Sequence, residues 1–526
     1  MALLGGCAST PLSVAQDEGW IEARTEHFTV WTNLPPEDAR AVARDIEIFR
    51  AAVLLITRVE DVSSTHPTWI YVFDSTQSFG PFNDLSLALG YMKPTLRANI
   101  LTTARDRHLD SSTILKHEYT HWLVRNDSKR TYPMWFDEGF AEFMATVGED
   151  GDTVVIGDVP AYRIPNLKYS RWIHLRDILA PVDWWSWPDE RKSMFYAQAW
   201  AFIHYWYTDH DRRAQLSAGL APYLDAVQSG TPFEDAFETS FGMSVDEAND
   251  ALIDYLRAGR FSGFGVPTSK LEFANRVRGR RLPEHEVAEQ LGMLCYVRND
   301  QACARSLFEH AVALAPESSR ATAGLADVEK SAGNVEEAER LFDLTIELDP
   351  EDALSYLDRG EFDTLRAAET NDPAQRRSLL RSARRDFVRA SEIAGPRPET
   401  YAFYGATFLF DGEEASKGLE TLEEAHRLLP ANATIRLMLA DLYLCLERRE
   451  EAVEMARPAF LTRHGGQLDA ESKAVLDAIA SGEQARLHFF GKSEPDAVGD
   501  ATESEGAHDA PERGEPSSGT QRSDRP

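Results

Sequence analysis

The chain has 526 residues, and 43% of them are hydrophobic, so it is long enough to form two or more domains with apolar cores. Its 55 basic and 86 acidic residues give a net charge of −31, which repels nucleic-acid phosphates and anionic membrane surfaces. The composition therefore excludes a wholly disordered chain and argues against nucleic acid as a partner.

The chain begins with a segment that resembles a bacterial lipobox, LGGCAS at residues 4–9, with Cys7 as the lipidated residue. The charged start and apolar stretch of a lipoprotein signal do not precede it. Either the signal is truncated or the resemblance is chance, and we favour the truncated signal. This predicts a bacterial envelope protein, periplasmic or lipid-anchored, with the cytoplasm as the alternative. Elsewhere the sequence has no apolar run of the roughly 18 to 20 residues that span a bilayer.

The next part of the chain alternates strand and helix patterns. Residues 27–32 and 68–73 predict strands, with an amphipathic helix from Glu37 to about Leu55 between them. Residues 98–103 predict a third strand. A small sheet packed on the following helix is expected.

That helix carries the most informative motif, His117-Glu118-Tyr119-Thr120-His121. Residues four apart lie on one face of a helix, so His117 and His121 can present two imidazoles to one metal ion. A catalytic zinc site has three protein ligands and an open position, and two histidines are commonly completed by a carboxylate. The alternative is an ordinary amphipathic helix that carries this short pattern by accident.

A second motif follows on another predicted helix, Trp135-Phe136-Asp137-Glu138-Gly139-Phe140-Ala141-Glu142. Its two glutamates lie four residues apart, and Glu138 is the best candidate for the third ligand. The two motifs together favour a zinc site over an accidental pattern.

The combination H-E-x-x-H with W-x-x-E-G-x-A-E resembles the gluzincin metallopeptidases, in particular their peptidase MA-like bacterial members, over roughly residues 25 to 260. The resemblance implies an α+β zincin-like domain with one zinc ion, held by His117, His121 and Glu138. It also implies that Glu142 lies behind a histidine ligand and fixes its tautomer. The His121 to Glu138 spacing is slightly short for this family, so Glu142 remains an alternative ligand.

A helix pattern near residue 196 matches the gluzincin helix that carries an oxyanion-binding tyrosine. By this resemblance Tyr196 would donate a hydrogen bond to the tetrahedral intermediate. The alternative is core packing, because the surrounding run is rich in aromatic residues. We interpret His204, on the same run, as structural.

The resemblance implies peptide hydrolysis with Glu118 as general base, which takes a proton from water and passes it to the leaving amine. Aminopeptidases of this clan carry a G-x-M-E-N segment whose Glu binds the free amine of the substrate. Here the segment is Gly90-Tyr91-Met92-Lys93-Pro94. Lysine replaces the acid, which favours an endopeptidase. The family resemblance also implies that the strand at residues 98–103 lies at the edge of the sheet.

The C-terminal half has an internal repeat. Pro316 and Pro350 are 34 residues apart, as are Pro396 and Pro430, and small and large residues recur between them. This period is the tetratricopeptide (TPR) signature, and it predicts five helix pairs with an insertion in the third. The concave face of such an all-α solenoid binds a peptide or a protein partner. The alternative is that the repeats only support the enzyme domain.

The resulting division of the chain is 1–24 truncated signal and linker, 25–260 metallopeptidase domain (25–150 sheet and zinc helix, 151–260 helical half), 261–284 linker, 285–467 five repeats, 468–489 terminal helix, and 490–526 disordered acidic tail. Cys295 and Cys303 either pair in an oxidising compartment or are buried thiols.

The leading interpretation is a zinc endopeptidase whose repeats bind a substrate or partner protein. The alternative is a non-catalytic TPR adaptor or scaffold that carries a zinc-binding, peptidase-like domain. Retention of both histidines, Glu118 and Glu138 favours the enzyme, because a binding protein needs no general base. A third interpretation is an enzyme kept latent by its own tail or by a partner.

Overall fold

The computed structural model describes residues 9–58, 66–83, 90–105, 111–127, 132–180, 186–259, 261–273, 276–410, 415–460 and 470–481. An N-terminal α+β unit is followed by a helical repeat region, as the sequence predicts. Cys7 and the acidic tail at 490–526 lie outside the described residues. Within the described part of the chain, no helix has the length and apolar character needed to cross a membrane.

Among the described residues, nine strands form two sheets. They are β1 (Ile21–Arg24), β2 (Phe28–Thr32), β3 (Thr68–Phe73), β4 (Gly90–Pro94), β5 (Asn99–Ala104), β6 (Gly148–Asp150), β7 (Thr153–Ile156), β8 (Phe264–Pro267) and β9 (Arg278–Arg281). The larger sheet has the order β4-β5-β3-β2-β1-β9, and β6-β7-β8 form the smaller one. In the larger sheet β2, β3 and β5 are parallel, and the outer strands are antiparallel to their neighbours.

In the described part of the N-terminal unit, eleven α-helices are present. They are α1 (Pro11–Ala15), α2 (Pro36–Thr57), α3 (Thr76–Phe79), α4 (Ser111–Asp127), α5 (Met134–Ala145), α6 (Ile164–Tyr169), α7 (Leu175–Leu179), α8 (Asp189–Tyr207), α9 (His210–Gln228), α10 (Phe233–Phe241) and α11 (Val245–Ala258). Helix α2 provides the crossover that the parallel pair β2 and β3 requires.

Both faces of the larger sheet are covered. Side chains alternate along β3, so that Ile70 and Val72 join the core beneath α2 and α4, whereas Tyr71 and Phe73 join a second core on the opposite face. This second core includes Leu291 of the first repeat. The sheet is therefore sandwiched between the helix with the H-E-x-x-H motif and the start of the repeats.

The prediction that residues 98–103 form an edge strand is wrong. Residues 98–103 do contribute β5, but β5 lies inside the sheet between β4 and β3, and β4 is the edge. All six residues of β5 are buried. The sequence hides this because Asn99, Thr102 and Thr103 are polar, and pairing partners cannot be read from the alternation of one strand.

Two predicted linkers are also wrong. Within 1–24, the described residues include α1 and β1, and Trp20 is buried against Phe73. Within 261–284, β8 and β9 are strands, and β9 pairs with β1. The strands in these segments have only four residues each, which is too short for a sequence pattern to predict. They form because strands distant in sequence supply their hydrogen bonds.

The repeat region, as far as the structure describes it, contains five helix pairs and one further helix. They are α12 (Glu284–Val297) with α13 (Gln301–Leu314), α14 (Ser319–Ser331) with α15 (Val335–Leu348), α16 (Ala353–Glu369) with α17 (Pro373–Ala394), α18 (Pro398–Ala406) with α19 (Ala415–Leu428), α20 (Ala433–Cys445) with α21 (Arg449–Phe460), and α22 (Ala470–Ser481). The predicted insertion lengthens α16 and α17 to 17 and 22 residues.

The predicted fit of small against large residues is confirmed. A Cβ atom on Gly292 would come within 2.8 Å of the Phe308 ring, and one on Gly360 within 2.7 Å of the Phe387 ring. Glycine is therefore required where helices of a pair approach closely. In the first pair, Cys295 and Cys303 form a disulfide, which is compatible with an oxidising compartment.

The first helix of each pair faces the N-terminal unit. Neighbouring first helices (α12, α14, α16, α18, α20) contact one another more closely than the second helices do, so they line the concave side of the stack. On this side Arg97 forms ion pairs with Asp358 and Glu361 of α16, and the amide of Ala431, before α20, donates to Asn126. Part of the concave face, predicted to bind a partner, is thus covered by the chain itself.

Two buried carboxyl groups of the repeats predict that the stability of the fold depends on pH. Burial raises the pKa of Asp363 to about 6 and that of Glu399 to about 7. A folded-state pKa above the unfolded value means that stability is lost as pH rises from about 4 to 7, by about 3 kcal/mol for each group. We expect thermal unfolding at a lower temperature at pH 8 than at pH 5. The double variant Asp363→Asn, Glu399→Gln should flatten this slope, and an unchanged slope would contradict the assignment.

Candidate metal centre

The H-E-x-x-H helix α4 lies between the sheet and helix α5. It packs on α2, β4 and β5, and α5 packs along its other side. The predicted helix periodicity brings His117 and His121 to one face of α4, and that face meets Glu138 of α5. The two sequence motifs therefore meet in space.

Three side-chain atoms converge at this contact. The Nε2 atoms of His117 and His121 are 3.2 Å apart, and Oε2 of Glu138 lies 3.4 Å from each of them. Ligand atoms of a tetrahedral zinc site with bonds of about 2.05 Å are about 3.3 Å apart. Among the described residues, this is the group of His, Cys, Asp and Glu side chains whose geometry fits a metal ion.

Glu142 occupies a different position, one helical turn beyond Glu138. Its Oε1 lies 3.6 Å from Nδ1 of His117, while Arg163 and the Tyr162 hydroxyl donate hydrogen bonds to its carboxylate. Burial by itself would raise the pKa of Glu142, but the Arg163 guanidinium lowers it. Glu142 therefore stays charged behind His117, and the geometry favours Glu138 as the third ligand.

The sequence reasoning missed a second support, Asp137. Its Oδ1 lies 3.0 Å from Nδ1 of His121, and Arg125 donates a hydrogen bond to its other oxygen. Burial lowers the pKa of His121, but Asp137 and Glu138 outweigh this and raise it to about 10. The sequence feature that could have predicted this role is the position of Asp137 directly before Glu138, since adjacent residues on a helix point to neighbouring sides.

Asp137 should tune metal affinity. A carboxylate on the outer nitrogen of a histidine ligand fixes its tautomer and raises its basicity, and losing it typically costs 10- to 100-fold in affinity. We expect Asp137→Asn to weaken zinc binding by about this factor, measured by competition with a zinc chelator. The exposed Asp189 on α8 provides a control, and Asp189→Asn should leave affinity unchanged. Equal affinities for wild type and Asp137→Asn would contradict the role.

Glu118, the predicted general base, follows His117 on α4. Its side chain is largely buried, with 7% of the residue exposed. It therefore lies in an environment of restricted solvent access beside the candidate ligands, as a general base requires.

Tyr196 lies on α8 at the border of this site. The Arg163 guanidinium that holds Glu142 also lies over the Tyr196 ring, 4.9 Å from its centre. Helix α8 is held close to α5 because Gly139 has no side chain, and a Cβ atom there would come within 2.5 Å of the Ala199 carbonyl oxygen. Tyr196 is thus linked to the ligand helix through Arg163, and its catalytic role stays a prediction.

His204 behaves as the structural interpretation expects. It is fully buried on α8, its Nδ1 lies 2.6 Å from the Tyr255 hydroxyl, and burial lowers its pKa to about 4. It is therefore a neutral core residue.

Lys93, the residue that replaces the aminopeptidase acid, points toward the repeats. Its Nζ donates a hydrogen bond to the carbonyl of Val297, at the end of α12. Edge strand β4 therefore presents no carboxylate at this position.

Comparison with known proteins identifies the repeats. A family model described as tetratricopeptide repeat matches residues 299–357. The C-terminal region contains tetratricopeptide repeats. The TPR match covers α13, α14, α15 and the start of α16, and it includes Pro316 and Pro350, which are 34 residues apart. Repeats of this class generally bind peptides or protein partners.

Several solved structures of TPR proteins are similar to this chain. A thermophilic TPR protein from Thermus thermophilus is 21% identical, with 37% of this chain and 98% of that chain covered and a TM-score of 0.33. PilF from Pseudomonas aeruginosa is 18% identical, with 39% and 90% covered and a TM-score of 0.29. A TPR protein from Parabacteroides merdae is 11% identical, with 51% and 99% covered and a TM-score of 0.24. No curated protein matches the chain.

Proposed function

We propose that this protein is a gluzincin-type zinc metallopeptidase that cleaves within peptide chains. The observation that supports it is the convergence of His117, His121 and Glu138, whose ligand atoms have the mutual separations of a tetrahedral zinc site. Two outer carboxylates, Asp137 and Glu142, lie against the outer nitrogens of the two histidines. Such double support is typical of metal sites.

The proposed chemistry divides among the residues of the site. A bound zinc ion supplies Lewis acidity, which polarises a carbonyl group and acidifies water. Glu118 accepts a proton from the attacking water and delivers it to the leaving amine nitrogen. Tyr196 donates a hydrogen bond to the developing oxyanion. Arg163, held by Glu142, fixes the position of the Tyr196 ring.

An extended substrate could add to β4, because β4 is the terminal strand of the larger sheet and peptides can bind a sheet by extending its edge. This strand contacts α4, so a peptide along it would pass the metal site. Lys93 is directed toward Val297 and occupies the position at which aminopeptidases of this clan carry the acid that binds a free amine. These features support cleavage within a chain rather than at its N-terminus.

The second candidate is a non-catalytic TPR adaptor or scaffold with a zinc-binding domain. The TPR match favours it, because these repeats serve protein binding in many proteins without enzyme activity. The two candidates share the metal site and differ in turnover. A protein partner would use the part of the concave face that the N-terminal unit leaves open.

The deciding experiment measures metal and turnover on one preparation of the purified full chain. We expect about one zinc per chain by elemental analysis, and cleavage of an unstructured protein such as casein at internal bonds. A chelator should abolish cleavage, and added zinc should restore it. Bound zinc without cleavage of casein or of a peptide library would support the adaptor. A chain that binds no zinc would overturn both the metal site and the enzyme.

A further inference from the structure

The turn between β4 and β5 is built to present one side chain. Residues 95–98 form a tight turn in which the Thr95 hydroxyl accepts hydrogen bonds from the amides of Arg97 and Ala98 and donates one to the Ala98 carbonyl. The amide of Thr95 donates to the same carbonyl, at 2.9 Å. This turn therefore fixes the backbone from which Arg97 projects.

Arg97 projects into the third helix pair of the solenoid. Its guanidinium lies 2.5 Å from Oδ1 of Asp358 and 2.7 Å from Oε2 of Glu361, both on α16. The side chain of Asp358 is 5% exposed and that of Glu361 is 19% exposed. A guanidinium paired with two carboxylates away from solvent has a fixed orientation, so it fixes the relative position of the groups it joins in addition to balancing their charge.

The charges around this contact depend on Arg97. Lys330 of α14 lies 2.7 Å from Asp327 and 3.4 Å from Glu361. The solenoid thus contributes three carboxylates and one ammonium group, and Arg97 supplies the second positive charge. Without Arg97, the three carboxylates would have one ammonium group as their partner, and the solenoid would carry excess buried negative charge.

A second contact joins the same strand to the first helix pair. The Lys93 ammonium group donates to the Val297 carbonyl at the end of α12, and Arg298 reaches the Pro81 carbonyl at 3.2 Å. Strand β4 is therefore held at Lys93 and again at the turn that follows it. These contacts come from residues about 200 or more positions away in sequence.

We propose that the TPR solenoid positions edge strand β4 in cis, with Arg97 as the principal positioning residue. The proposal rests on the proposed function in one respect, namely that β4 is the strand along which a peptide substrate lies. The repeats then form part of the substrate-binding edge. Binding of a separate partner is an additional role.

The test is a charge reversal and its rescue in the full chain. Arg97→Glu places a third like charge beside Asp358 and Glu361, and we expect amide hydrogen exchange in residues 90–104 to accelerate at least tenfold. Adding Glu361→Arg should restore slow exchange. Arg97→Lys keeps the positive charge but cannot contact both carboxylates through two separate nitrogens. It should therefore give an intermediate rate of amide exchange, even if Arg97→Glu folds poorly. The control is Arg105→Glu, which breaks an exposed pair with Asp38 at the other end of β5.

Kinetics give the second readout. Arg97→Glu should raise the KM for a long peptide severalfold with a smaller change in kcat and unchanged zinc content, and Glu361→Arg should reverse it. Unchanged exchange in Arg97→Glu, or exchange that the second change does not restore, would overturn the proposal. If wild type binds zinc but cleaves nothing, the proposed function fails, while the exchange rates still decide whether the solenoid positions β4.

Discussion

Replacing Glu118 with Gln should lower the rate of peptide hydrolysis by about 10²- to 10⁴-fold while the chain keeps its zinc. Gln has nearly the shape of Glu but cannot accept the proton of the attacking water. The proposed ligand atoms belong to His117, His121 and Glu138, so we expect the change to leave the metal site intact. The measurement is kcat on a quenched peptide together with elemental analysis of the same sample.

The matched control for this prediction is Glu190→Gln, on the exposed first turn of α8. It should retain full activity. If Glu118→Gln and wild type cleave at the same rate, Glu118 is not the base; if the variant loses zinc as well, the change has disturbed α4 and the loss of activity says nothing about proton transfer.

The second large effect separates the two glutamates of α5. Glu138→Gln should weaken zinc binding by more than the roughly 100-fold that the loss of an outer partner costs, because it removes a ligand. Glu142→Gln should weaken it by roughly 10- to 100-fold. Affinity is measured by competition with a chelator of known zinc affinity.

Stability provides an independent check on the same pair. Glu142 compensates the buried guanidinium of Arg163, so Glu142→Gln should lower the free energy of unfolding of the metal-free chain by about 3 to 5 kcal/mol. Glu138→Gln should lower it much less. If Glu142→Gln instead abolishes zinc binding and Glu138→Gln does not, Glu142 is the ligand and the assignment is reversed.

Local patterns predicted much of the candidate site. The four-residue spacing of His117 and His121 requires only that α4 be a helix, since helix geometry brings them to one face. The strand pattern of residues 68–73 agrees with β3 in both bounds. The repeat period predicted five helix pairs, because prolines recur 34 residues apart and small and large residues recur between them.

Long-range pairing could not be predicted in the same way. β9 lies next to β1 although the chain between them holds most of the N-terminal unit. The family resemblance implied that β5 is an edge strand, but its residues are buried because strands lie on both sides. Hydrogen bonds to a neighbouring strand remove the free-energy cost of burying polar backbone groups. The identity of that neighbour cannot be read from the strand's own sequence.

The sequence by itself determined the helix that carries His117, Glu118 and His121, the acidic helix that follows it, and the repeat architecture, since all three depend on short periodic spacings. Only the tertiary structure decided that Asp137 supports His121, that β4 is the edge, and that Arg97 joins this edge to Glu361. The physical reason is distance along the chain. Helix periodicity acts within a few residues, whereas the partners of buried charges and strand edges are chosen by the packing of the whole molecule.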